Sequence, residues 1–147
     1  MGGVRWFLGG FFALLLVLGG SWALAQSAPP AAAGNPDAEL KTAVTHAGFA
    51  GKYDALKEVT THLHHMVNCV VGPQDKMFDA AAGNPCQSQG NGFLPDLKAK
   101  KGESAQYYQA QWAAEIASQG IASNNLQEAK AAAHVASLVL EDAAKMK

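Results

Sequence analysis

The chain has 147 residues, a formal net charge of −1, five histidines and two cysteines. That length suits one domain with a single core. The 11 Lys and Arg are outnumbered by 12 Asp and Glu and form no basic stripe, which excludes a nucleic-acid footprint.

The first segment reads as an address. MGGVRWFLGGFFALLLVLGGSWALA has one positive charge, Arg5, an apolar run from Trp6 to Leu18, and the small-x-small pattern Ala23-Leu24-Ala25. Residues 1–25 are therefore expected to be a signal peptide, and the mature protein periplasmic or secreted. A retained membrane anchor is the other reading. Gly9, Gly10, Gly19 and Gly20 interrupt the apolar run and, with the cleavage pattern, weigh against it. No twin-arginine pair is present, so general secretion is the simpler route, with no stable membrane insertion after cleavage.

Residues 26–36 begin QSAPPAAAG, rich in Pro, Ala and Gly with nothing large to bury, and read as a disordered linker. The helical domain is expected over 37–147. Asn35-Pro36-Asp37 marks the start of its first helix: a capping side chain, a proline suited to the first turn, and acids at the positive end of the dipole. Leu40, Val44 and Ala47 repeat at helical spacing, and Gly48 and Gly51 end or bend the helix. A second helix is predicted from about Tyr53 to Val71, with Leu56, Val59, Leu63, Met66, Val67 and Val70 on one face. Gly72-Pro73 stops it.

Residues 72–102 read as a long irregular loop with recurrent turn formers. Loops of this length in small domains are functional or pinned by their own contacts. Here Cys69 and Cys86 supply a pin. An even pair of cysteines in an oxidising compartment points to a disulfide. A third helix is predicted over about Glu103–Gly120, with Tyr108, Trp112 and Ile116 as its apolar stripe and Ala105, Ala113 and Ala117 beside it. A fourth begins after Asn125, which with Glu128 has capping-box spacing. It runs to about Lys145 through Leu126, Ala129, Ala133, Leu138 and Leu140. The fold class expected is all-α: a small four-helix bundle of two antiparallel helical hairpins joined by a long disulfide-pinned loop. The echo between Gly48–Ala50 and Gly120–Ala122 supplies two units, too few for a solenoid.

The segment THLHHMVNC, Thr61 to Cys69, carries the chemistry. On a helix His62, His65, Met66 and Cys69 form a strip beside the core stripe. Their spacings of three and four let neighbours touch. His64 falls on the opposite flank, and Asn68 is expected to point outward. With Cys69 in a disulfide, His62, His65 and Met66 remain as metal ligands. His46 on the first helix is a candidate fourth, with His134 another. Imidazole and thioether donors suit copper first and zinc second. The zincin pattern HExxH is absent. The competing reading is that the pinned loop drapes over this flank and the imidazoles hydrogen-bond its carbonyls.

No CxxCH occurs for covalent haem attachment, and no catalytic triad has motif context, so no enzyme, catalytic residue or cofactor-binding residue is expected. Asp75, Asp79 and Asp96 read as turn makers. The strings THAGFA, HLHHMVNCVVGP, FDAAAGNPC and GNGFLPDL, over about residues 42 to 97, resemble a group of uncharacterised small exported bacterial helical proteins. That resemblance implies an exported helical protein and carries no activity. The partner expected is a metal ion or a periplasmic protein, with no nucleic acid.

Overall fold

The computed structural model describes residues 34–146, whose regular elements are all helical, without strands. The expected signal peptide and most of the expected linker lie outside the described residues. The order is α1 (Pro36–Ala50), α2 (Leu56–Val71), a 3-10 turn (Ala80–Ala82), α3 (Phe93–Lys101), α4 (Ala105–Ala122) and α5 (Leu126–Ala143).

The start signals act as the sequence suggests. The Asn35 side chain accepts from the Ala38 N–H, and Pro36 opens α1. Asn125 accepts from the amides of Gln127 and Glu128 at the start of α5, and Ser104 from that of Tyr107 at the start of α4. Each cap satisfies amides that a helix leaves without internal partners.

The expected count of four helices is corrected to five. Residues 93–101, placed in the irregular loop, form α3. Phe93, Leu94 and Leu97 are buried, and α3 packs against α1, α2 and α4. Tertiary burial overrode the turn-forming composition around it.

Helix α1 packs along α2 and α4 along α5, while α2 touches α4 and α5, and α1 touches α5. The α4–α5 contacts run in opposite order: Gln106 Nε2 donates to Ala143 O, and Gln109 Nε2 to Val139 O and Asp142 Oδ2. The inner face of α4 differs from the expected one. Tyr108 and Trp112 are 54% and 58% exposed, whereas Ala110, Ala113, Ala114 and Ala117 are fully buried. On α5, Leu138 is exposed and Ala129, Ala133, Ala136, Leu140 and Ala143 are buried. Small side chains let the axes approach closely enough to exclude the large ones. At Gly120 a Cβ would sit 2.7 Å from Ala132 Cβ and 2.9 Å from Leu63 Cδ1.

The disulfide is present: Cys69 and Cys86 are joined, with Cα atoms 5.3 Å apart and both residues buried. The loop between α2 and α3 returns to its starting point. Gly72 at φ 75° and Gly92 at φ 112° meet backbone to backbone, and a Cβ on Gly92 would lie 2.5 Å from Gly72 Cα. Both the positive φ and the close approach require glycine.

Candidate metal centre

The loop is seated on α2 by one asparagine. Asn68, expected to point outward, is fully buried. Its Nδ2 donates to Asp79 O and Gly83 O, both at 2.7 Å, and its Oδ1 accepts from Asp79 N at 2.9 Å. The error has a physical cause: the loop creates a second buried face on α2, which a single-stripe helical projection does not contain. On the same side His64 Nδ1 lies 3.5 Å from Asp79 Oδ2, an ion-pair distance. Asp79 also caps the 3-10 turn through Ala81 N.

On the other flank His46, His62 and His65 come together, with one ring nitrogen of each within 4.8 Å of the others. Among the described residues, these are the His, Cys, Asp or Glu side chains grouped closely enough to hold a metal ion. His46 comes from the last turns of α1 and His62 and His65 from consecutive turns of α2. All three are half-buried.

His46 Nδ1 and His62 Nδ1 are 3.1 Å apart. Two nitrogens bound tetrahedrally to one zinc at about 2.0–2.1 Å stand roughly 3.3 Å apart, so this pair is already at ligand spacing. As a hydrogen bond, the same contact needs one ring to donate and the other to accept, which two neutral imidazoles of opposite tautomer do. The rings stack at 5.3 Å and 29°. Burial lowers the His46 pKa from 6.5 to about 4, with His65 and then His62 adding to the effect. Burial, followed by His65, also lowers that of His62. Both therefore present lone pairs rather than charge at neutral pH.

His65 is held from behind. Its Nε2 is 2.7 Å from Ala82 O. A carbonyl only accepts, so Nε2 carries a proton, and in the neutral ring Nδ1 is left with the lone pair. That Nδ1 is buried and has no hydrogen-bond partner. A ring donating one nitrogen to a backbone carbonyl while the other stays bare is the usual outer-shell arrangement of a metal-binding histidine.

Aromatic rings line the outer edge. Tyr53, in the turn between α1 and α2, stacks on His62 at 5.0 Å and 13°. Phe49 meets both His62 and His46 edge to face. Nothing in the linear pattern singled out Tyr53 or Phe49; they follow from the α1–α2 turn folding beside His62. Of the expected ligands, His46, His62 and His65 are brought together. Met66 lies fully buried within the apolar core and His134 is exposed on α5, while Cys69 is in the expected disulfide.

Comparison of the chain with family models, curated proteins and solved structures found no match. Any functional reading therefore rests on the chemistry of these side chains.

Proposed function

We propose that the protein is an exported, non-enzymatic helical-bundle binding protein that takes up a transition metal through His46, His62 and His65. The observation that carries this reading is the convergence of three imidazole nitrogens within 4.8 Å. The bare, unpartnered Nδ1 of His65 supports it. The donor set is all-imidazole, which suits copper(II) and zinc alike. The ordinary affinity order places copper(II) above zinc, so copper remains favoured without a thioether.

The frame for this reading is two antiparallel helix pairs, α1–α2 and α4–α5, with the disulfide loop and α3 between them. A disulfide fits an oxidising compartment. Periplasmic or secreted placement follows from that and from the resemblance to exported helical proteins.

The alternative is a structural or protein-interaction module in which the histidines organise the loop. The His65–Ala82 hydrogen bond at 2.7 Å favours it. The two readings share that bond and differ in whether metal binds. Titration of tag-free protein with Cu2+ and Zn2+ decides between them. One equivalent is expected. Binding should weaken in His46→Ala/His62→Ala by more than the roughly 10–100-fold typical of outer-shell changes, and stay unchanged in His64→Ala and His134→Ala. No stoichiometric binding by the parent protein leaves the structural module.

A further inference from the structure

We propose that the Cys69–Cys86 disulfide sets the metal affinity of the histidine trio by fixing the Ala82 carbonyl against His65 Nε2. This rests on the metal-binding reading and adds its regulation. Ala82 lies in the 3-10 turn between the loop's two anchors, Asn68 and Cys86. Asn68 clamps Asp79 and Gly83 on either side of that turn. Cys86 ties the next stretch to Cys69, one helical turn beyond His65. The Ala82 carbonyl is thus held at 2.7 Å from the imidazole by two attachments acting together, and losing either one frees it.

That carbonyl does two things for His65. It fixes the tautomer that leaves Nδ1 bare, and it fixes the ring's rotation, so neither has to be selected when an ion arrives. His65 has no other hydrogen bond doing this, since its second nitrogen is unpartnered. Releasing the loop lets the carbonyl leave, and the proton is then free to sit on Nδ1 and compete with metal.

A dithiol reductant supplies that release. It gives two electrons and two protons, becoming a disulfide itself, while the Cys69–Cys86 bond breaks into two thiols. The oxidised protein is then the tight-binding form and the reduced protein the weak one. By linkage, bound metal opposes reduction by the same factor.

The test measures Zn2+ binding by calorimetry in the parent protein and in Cys69→Ala/Cys86→Ala, which leaves no thiol to ligate the ion. The expected result is one equivalent in both, with affinity about ten- to a hundredfold lower in the variant. The same two substitutions in a His65→Ala background should add nothing to the loss. An undiminished affinity in Cys69→Ala/Cys86→Ala overturns the inference while leaving the metal site standing. So does an equal loss with and without His65. No Zn2+ binding by the parent protein removes the site itself.

If circular dichroism shows that the disulfide-free chain is unfolded, Asn68→Ala with the bridge intact takes its place and must show the same His65-dependent loss. Independently, two-bond 1H–15N spectra of the parent protein should show His65 protonated at Nε2. An Nδ1–H tautomer overturns the inference.

Discussion

Asn68 and Asp79 are paired as two strand residues would be: the asparagine side chain both accepts from the Asp79 N–H and donates to the Asp79 carbonyl. A side-chain amide thus stands in for a missing strand, and it spends its second N–H on Gly83. Asn68→Ala leaves these three partly buried backbone groups without their partner. At about 1–3 kcal/mol for each group left unsatisfied, the variant should lose roughly 3 kcal/mol in urea unfolding. A loss below about 1 kcal/mol, the net worth of one ordinary hydrogen bond, contradicts this account of the loop.

Glu39 makes stability fall as pH rises. It is fully buried on α1, its Oε1 accepts from Gly92 N at 2.8 Å, and its Oε2 is unpartnered. Burial raises its pKa from 4.5 to about 7; the Gly92 N–H works against that, and the Asp96 carboxylate adds to it. The folded chain therefore binds this proton more tightly than the unfolded chain. The contribution is full below about pH 4.5 and is lost as pH climbs through about 7, on the order of 3 kcal/mol in all. Glu39→Gln, which cannot ionise, should be at least as stable as the parent at pH 8 and lack this slope. An unchanged pH profile would sink the assignment.

His46 acts in the opposite direction over an overlapping range. Its pKa is lowered to about 4 by burial and by His65 and His62. The unfolded chain then holds the proton more tightly, so stability is lost as pH falls from about 6.5 towards 4. In metal-free protein His46→Gln should flatten that acid limb, leaving the Glu39 slope exposed. Thermal scans across this range read both effects, and an acid limb of unchanged steepness in the variant rules out His46 as its source.

The two faces of α4 should respond very differently to substitution. Trp112 is largely exposed, so Trp112→Ala should cost within about 0.5 kcal/mol, as surface changes do. Ala113→Leu forces a large side chain into a fully buried position and should cost about 1–3 kcal/mol or more. Chemical denaturation of the two variants checks the ordering, and the reverse order would restore the aromatic stripe as the packing face.

That inversion shows where the sequence was readable. Helix starts were legible at Asn35 and Asn125 because capping is local, and α2 was legible because Val59, Leu63, Val67 and Val70 are large and periodic; the Ser104 cap of α4 went unread. On α4 the same rule favoured Tyr108 and Trp112. What selected the inner face instead was axis separation, set at Gly120 by its contacts with Leu63 and Ala132. Separation belongs to pairs of helices and is not written in either one alone.

The candidate site divides in the same way. His62 and His65 were visible from their spacing, and His46 from its flank on the preceding helix. Asn68 and Ala82 were not, because their roles exist only once the loop lies on α2. Glu39 reads locally as a dipole-favoured acid in a first turn. Its burial depends on Gly92, far along the chain, coming to rest beside it.

The meeting of Gly72 and Gly92, with the disulfide just inside it, has a consequence for the chain's integrity. Gln74, Asp75 and Lys76 are exposed on the far side of that closure. A protease cutting there would sever the polypeptide without parting the molecule, since Cys69 and Cys86 lie on opposite sides of the cut. The nicked protein would travel as one species on a gel until reductant split it in two, a form of damage tolerance suited to surroundings where peptide bonds are less safe than sulfur bridges.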